Sequence, residues 1–321
     1  MHRVCIIGAG NIGSRHLQGL KKVKFPLSIE VVDPSVKSLE IARQRYQQTE
    51  SSTNHTVSFL QNISNLSKKV DLAIIATNSD IRRLVIEKLL QRYFVEYLIL
   101  EKILFQKKEH YFYVEKLLLR KNIKTWVNLS MRTMPFYRNL KEKFNKPIQM
   151  IVSGSQYGLI TNAIHYVDYI AYLTNCYDFT LDTKGLDPKP IESKRKGFLE
   201  LNGTLNVYFK DGSFGSFTCF SEGDAPIVIE LLSESKRIIS KESEKKALIS
   251  SSPKWEWKET DSDIPYQSYM TNNVVEEILT KGSSSLTSYT QASKLHLQLL
   301  ESLLTFLNES SKRKFDYYPF T

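Results

Sequence analysis

The chain is poor in cysteine, and the little it has is scattered. Cys5, Cys176 and Cys219 are odd in number and far apart in 321 residues, which fits reduced thiols better than a disulfide framework. None has a partner at metal-ligand spacing, and the six histidines form neither an HxxxH nor an HExxH pattern, so no metal site is expected. No uninterrupted apolar run approaches the roughly 20 residues of a membrane-spanning helix. The first residues lead directly into a strand-like run, without a basic segment, a longer apolar stretch and a small-residue cleavage site in order. A cytoplasmic protein is the expectation. Repeats are lacking too, and low complexity is confined to the short SSS at 283–285.

Positive charge is in excess, with 44 Lys+Arg against 34 Asp+Glu and a net charge of +10. The cations are dispersed, as in KKEH, KRKG and KESEKK, and neither a zinc-finger nor an RNP signature accompanies them. Solvated faces therefore explain them better than a nucleic-acid partner, which would betray itself by salt-sensitive binding. The same positive field would attract a phosphorylated cofactor or an anionic substrate. Hydrophobic content of 41% and charged content of 24% are ordinary for a globular protein, and the length allows two domains.

The first third alternates short apolar runs with helix-compatible segments. HRVCIIGAG, LSIEVVD, TVSFL, KVDLAIIAT, EYLILEK and KTWVNL read as strands, and the segments between most of them carry helical spacing, as Val36, Leu39, Ala42 and Tyr46 do. Such alternation predicts a doubly wound parallel sheet over residues 1–125. From about residue 126 the texture changes to successive strands with turn signals such as Asp211-Gly212. The expectation for 126–321 is an α+β domain built on a large, mostly antiparallel open sheet, for substrate binding and oligomerisation. Helices at 162–174 and 287–308 would cover one face. The second of these carries a core stripe of Ala292, Leu295, Leu299, Leu303 and Phe306.

The segment IIGAGNIGSRH contains Gly8-x-Gly10-x-x-Gly13 after a strand and at the opening of a helix. A tight turn at Gly8, close approach of a pyrophosphate at Gly10 and close helix–strand packing at Gly13 are the physical logic of a dinucleotide loop. Exposed amides at the helix start would hold the phosphates. Asp33 ends the second strand, where a carboxylate accepts hydrogen bonds from the adenine ribose. An acid there also repels a 2′-phosphate, which favours NAD over NADP. A glycine-rich turn without a ligand, with Asp33 as a turn residue before Pro34, is the alternative.

A further oddity is LILEKILF at 98–105, an apolar run broken by Glu101 and Lys102. Burying either charge uncompensated costs several kcal/mol. The strand either ends there, at the mouth of a site, or carries a surface salt pair at an edge. Farther on, a helix containing GLITNAIHYVDYIAYL would set Thr161, His165 and Asp168 on one side, with Asn162 on an overlapping face. His165 is then a site residue or a core histidine satisfied by Asp168. Arg132 follows a strand and either meets an anionic substrate group or is a surface arginine. Arg15 and His16 follow the glycine loop, facing pyrophosphate or substrate.

GAGNIGSRH, IIATNSD, LEK at 100–102, NLSMRTMPFY, NAIHYVDYIAYL and the closing PFT occur in an order that resembles the glucose–fructose oxidoreductase / inositol dehydrogenase / MocA (Gfo/Idh/MocA) family. The resemblance runs nearly the whole length. It implies cofactor contacts at Gly8, Gly10, Asn11, Ile12, Gly13, Asp33, Ala76, Thr77, Asn78, Glu101 and Lys102. It also implies that Lys102 faces the substrate hydroxyl as proton acceptor, that Glu101 orients it or the cofactor, and that His165 assists. Substrate contacts would fall to Arg15, Arg132, Thr161, Asn162 and His165. Two departures stand out. Thr161 occupies the family's aspartate position, and Ile103 replaces a proline whose peptide bond is often cis. A cis Lys102-Ile103 bond costs about 2.5–4 kcal/mol, so trans is expected unless function keeps a strained cis bond. Arg82 stands where relatives often have histidine and is assigned no role.

The expected activity is hydride transfer between nicotinamide and a secondary hydroxyl or keto group of a sugar, with an activated or amino sugar suggested by the likeness to surface-polysaccharide relatives. A homo-oligomer through the open sheet is expected, without membrane or nucleic acid. A non-catalytic NAD(H)-binding sensor of the same fold is the alternative.

Overall fold

The computed structural model describes residues 1–51 and 53–321. The chain divides into two units, Met1–Asn128 with Pro265–Thr290, and Leu129–Ile264 with Gln291–Thr321.

The first unit opens with β1 (His2–Ile7), α1 (Asn11–Leu20), β2 (Leu27–Val32), α2 (Val36–Gln47), β3 (Thr56–Leu60), β4 (Lys69–Ile75), α3 (Ser79–Arg92), β5 (Phe94–Leu100), α4 (Lys108–Arg120) and β6 (Lys124–Val127). The second supplies α5 (Pro135–Arg138), β7 (Gln149–Ser155), α6 (Leu159–Thr174), β8 (Phe179–Asp182), β9 (Ile191–Glu192), β10 (Leu199–Glu200), β11 (Gly203–Phe209), β12 (Phe214–Phe220), β13 (Val228–Leu232), β14 (Lys236–Lys241), β15 (Lys246–Ser251) and β16 (Lys258–Asp261). The chain then returns to the first unit with α7 (Thr271–Lys281) and β17 (Thr287–Ser288), and α8 (Tyr289–Ser310) leads back into the second.

In the first unit the strand order is β17-β6-β5-β4-β1-β2-β3. All pairs are parallel except β17 on β6. Strands covered on both faces become continuously apolar, as at Val4–Ile7, Leu72–Ile75 and Leu98–Leu100. The order reverses direction between β1 and β4, which opens a crevice at their carboxyl ends.

The expected single boundary between residues 125 and 126 is corrected by the return of 265–290 to this first unit. The cause is hydrophobic. Val274, Val275 and Ile278 of α7 are buried in one cluster with Leu17 and Leu20 of α1 and Ile29 of β2.

The second unit holds an eight-stranded sheet in the order β16-β15-β14-β13-β7-β12-β11-β8. It is antiparallel except between β7 and β12. α6 packs so closely that a Cβ on Gly215 of β12 would lie 3.0 Å from Ile170 Cδ1. The Asp211-Gly212 turn forms as expected between β11 and β12, with Gly212 at φ +85°. Of the predicted α8 stripe, Ala292, Leu295, Leu299 and Leu303 are buried. Among the described residues no helix is long and apolar enough to cross a membrane.

Candidate functional site

The three glycines after β1 answer to different constraints. Gly8 has φ +98°, and a Cβ there would lie 2.9 Å from the Ala76 carbonyl. A Cβ on Gly13 would lie 1.8 Å from the Gly8 oxygen. Both glycines are demanded by the chain itself. Gly10 is not: its φ is −63°, and a Cβ would meet nothing within 4 Å. The space over it is open, and no side chain caps the first turn of α1. The amides of Asn11, Ile12 and Gly13 thus begin a helix whose positive end lies at the carboxyl end of β1.

Asp33 directly follows β2, at the same end of the sheet. Its Oδ2 accepts from the Ala9 amide at 2.7 Å and its Oδ1 from the Ser35 amide at 2.8 Å. Across the reversal of strand order, the Ala76 amide continues the sheet by donating to Ile7 O at 2.8 Å. The buried Thr77 hydroxyl has no hydrogen-bond partner among the described residues. Asn78 is exposed at the start of α3. An open approach at Gly10, an unanswered hydroxyl at Thr77 and a carboxylate at Asp33 fit a dinucleotide. Arg15 is exposed on α1 and donates to Gln18 at 2.8 Å.

The break in LILEKILF falls at the same end of the sheet. The Glu101 amide still donates to Ile75 O at 3.1 Å, so the ladder runs one residue past β5. Glu101 is 4% exposed, Lys102 is half-buried, and Ile103, Leu104 and Phe105 are fully buried. Lys102 is therefore the point at which the run meets solvent. Burial pushes the Glu101 carboxyl up, but the hydrogen bond and charge of His16, the Asn128 amide and the Lys102 charge outweigh it and hold the group at about 2. His16 Nε2 lies 2.9 Å from Glu101 Oε1, and Asn128 Nδ2 donates to the same oxygen at 2.6 Å.

Three expectations are corrected here. His16 is buried against Glu101 rather than facing a ligand. The Lys102–Ile103 peptide is cis, not trans. Arg82, given no role, is 1% exposed and donates to the carbonyls of Thr77, Ile103 and Leu104. It thereby fastens the loop after β4 to the segment after β5, two neighbouring connections on one side of the reversal in strand order.

In the second unit, α6 carries Thr161, Asn162 and His165. Its first turn is closed by a residue the sequence did not single out. Glu200 of β10, 5% exposed, accepts from the Ile160 amide at 2.9 Å, the Thr161 amide at 3.1 Å and the Thr161 hydroxyl. The carboxylate missing from position 161 thus stands one hydrogen bond away. The Thr161 hydroxyl also lies 3.3 Å from the Thr321 main-chain oxygen, which accepts from Arg195 at 2.9 Å. Asn162 Nδ2 donates to the carbonyls of Tyr157 and Gly158 at 2.8 and 3.0 Å, and His165 is half-buried. Arg132 departs from expectation. Its Nε and Nη2 hold the Asp168 carboxylate at 2.9 and 2.7 Å, and both residues are buried. A guanidinium paired in this bidentate way already has its anion, so Arg132 leaves the substrate set, and Asp168 is the partner of Arg132.

A parallel sheet in this order, with a glycine loop, an acid after β2 and a buried, hydrogen-bonded carboxylate after β5, defines a dinucleotide-binding Rossmann unit. Residues 2–128 match the Gfo/Idh/MocA family model, described as "Oxidoreductase family, NAD-binding Rossmann fold". The cofactor of that family is NAD. No curated protein matches the sequence. Among solved structures, UDP-N-acetylglucosamine 3-dehydrogenase GnnA from Acidithiobacillus ferrooxidans is similar at a TM-score of 0.73 and 12% identity, over 97% of this chain and 100% of that one. An oxidoreductase from Agrobacterium radiobacter, in complex with NAD+, L-tartaric acid and magnesium, gives 0.73 and 14%, over 97% of each chain. Levoglucosan dehydrogenase, in complex with NADH and L-sorbose, gives 0.70 and 13%, over 97% and 98%. At these identities the likeness carries the fold.

Proposed function

We propose that the protein is an NAD-dependent oxidoreductase acting on a secondary hydroxyl or keto group of a sugar, in free or activated (including amino-sugar) form. The observation that carries this proposal is the Glu101–Lys102 pair at the carboxyl end of β5, with the carboxylate buried and fixed and the lysine at the solvent boundary. Bound NAD would supply the hydride acceptor or donor. Lys102 takes the proton from the substrate hydroxyl in oxidation and returns it in reduction, with His165 assisting. The helix start at Asn11–Gly13 holds the pyrophosphate, Asp33 the ribose, and Ala76, Thr77 and Asn78 line the groove. Arg15, Thr161, Asn162 and His165 orient the substrate. The carboxylate at Asp33 disfavours NADP, and the open sheet of the second unit is the surface for a homo-oligomer. A cytoplasmic setting accords with the free cysteines.

The experiment is cofactor reduction with a sugar panel that includes UDP-N-acetylglucosamine, levoglucosan and L-sorbose, on wild type and Lys102→Ala. Turnover that falls at least about a hundredfold in the variant supports the assignment. NADH binding with no Lys102-sensitive turnover would instead establish the second reading, a non-catalytic NAD(H) sensor. That alternative is favoured by the neutral hydroxyl at Thr161 and by Ile103 in place of proline.

A further inference from the structure

Behind Lys102 lies a closed circuit of hydrogen bonds. From Glu101 Oε1 it passes to His16 Nε2 at 2.9 Å, and from His16 Nδ1 to the Thr271 hydroxyl at 2.9 Å. Gln267 Nε2 donates to that hydroxyl at 3.0 Å, Asn128 Nδ2 donates to Gln267 Oε1 at 3.0 Å, and the same Asn128 nitrogen returns to Glu101 Oε1 at 2.6 Å. The five side chains come from α1, the ends of β5 and β6, and the returning segment before and at the start of α7. His16, Glu101, Asn128 and Thr271 are each 5% exposed or less, and Gln267 is half-buried.

Two unrelated features of the chain converge on Thr271. A Cβ on Gly19 would lie 2.6 Å from Thr271 Cβ, so the absence of a side chain in α1 lets the threonine approach His16. The Thr271 hydroxyl also donates to Gln267 O at 3.2 Å, which orients its lone pairs toward the circuit. A ring of polar groups in which each member is satisfied by the next is rigid, and the loss of one member strands its neighbours. Both donors to Glu101 reach a single oxygen, so the carboxylate plane is set by His16 and Asn128 together.

We propose that Thr271 and Gln267 are positioning residues for Lys102: through His16 and Asn128 they fix the Glu101 carboxylate, and through that fixed charge they set the ammonium beside it. The proposal deepens the assignment of Lys102 as the proton carrier and rests on it. It gives the returning segment a part in the chemistry besides filling the core of the first unit. The circuit joins the glycine-loop helix to the residue preceding the lysine, while the phosphate and ribose contacts at Gly10 and Asp33 lie outside it.

The test uses the full chain and needs no substrate. Lysine reactivity is measured by competitive acetylation with acetic anhydride and mass spectrometry, on wild type, Thr271→Val, Thr271→Ser and Gln267→Met. NADH affinity is taken from nucleotide fluorescence, and thermal stability is recorded alongside. With Glu101 loosened, the Lys102 ammonium loses its fixed counter-charge, and its acetylation relative to the other lysines rises about threefold or more, equivalent to about half a pKa unit. NADH affinity stays within about threefold of wild type, since the pyrophosphate contacts are untouched. Thr271→Ser, which keeps the hydroxyl, behaves as wild type. Unchanged Lys102 acetylation in both Thr271→Val and Gln267→Met overturns the proposal, as does a change that Thr271→Ser fails to reverse. Failure of the proton-carrier assignment looks different: acetylation shifts as expected, while turnover is insensitive to Lys102→Ala.

Discussion

At the scale of single residues, Gly10 and Gly13 place opposite demands on a substituent. A methyl on Gly13 would meet the Gly8 oxygen at 1.8 Å, whereas one on Gly10 would meet nothing within 4 Å. Gly13→Ala should cost more than about 3 kcal/mol in urea unfolding, as forced overpacking against backbone does. Gly10→Ala should leave the unfolding midpoint unchanged yet weaken NADH binding at least about tenfold in a fluorescence titration, because the methyl would fill the space proposed for the pyrophosphate. Glu101 sets a pH dependence. Its carboxyl lies at about 2 in the folded chain against an ordinary 4.5. The stability it contributes is complete above pH 4.5 and drains away as pH falls toward 2, by roughly 3 kcal/mol. Denaturant titrations across that range should show the loss in wild type and a flatter acid limb in Glu101→Gln. Arg132→Met would strand the buried Asp168 and should cost about 3–5 kcal/mol, read from the same unfolding curves. These residues also mark how much a sequence discloses. The glycine loop and Asp33 were legible because turn, approach and packing need those residue types at fixed spacing. The pairing of Arg132 with Asp168, 36 residues apart, was not, because only tertiary folding brings them together. Arg82 was illegible for another reason: its partners are main-chain carbonyls, which leave no mark in a sequence.

At the scale of elements, α6 shows a helix whose start is controlled from outside. It begins after Gly158 without a side-chain cap of its own at that position, and Glu200 from β10 takes the amides of Ile160 and Thr161. A carboxylate at a helix amino terminus satisfies otherwise orphaned donors and meets the positive end of the dipole. Glu200→Ala should therefore cost about 1–2 kcal/mol, and it should lower turnover more than NADH affinity, since the helix that frays carries Thr161 and His165 while Gly10 and Asp33 sit on other elements. Separate kcat and fluorescence measurements check both parts. The helix itself was expected three residues shorter at its start, at 162 rather than Leu159. Periodicity marks the buried stripe of a helix, but a cap supplied by a strand some 40 residues onward has no local signature. Strand texture and turn signals did reveal the second sheet. They could not reveal the parallel pairing of β7 with β12, which depends on α6 crossing between the strands.

At the scale of the whole molecule, the chain passes between units at Asn128–Leu129, Ile264–Pro265 and Thr290–Gln291. The change of texture near residue 126 was visible in the sequence. The return of 265–290 was not, because an amphipathic helix does not announce which core it fills. Val274, Val275 and Ile278 are at most 6% exposed in the first unit's cluster, and each fully buried side chain of this kind contributes about 1.5–3 kcal/mol. A polypeptide of residues 1–128 should accordingly lack a cooperative melting transition, and one in which 265–290 is joined to it by a flexible linker should regain the transition and NADH binding. Interleaving also dictates a timetable. On the ribosome the nucleotide-binding half emerges first but stays incomplete, with apolar surface on α1 exposed, until 136 further residues have been made and the helix that covers it follows. The second unit waits in its turn for Gln291–Thr321, whose Ala292, Leu295, Leu299 and Leu303 are buried, so neither half has its whole core until the last stretch of α8 has been made.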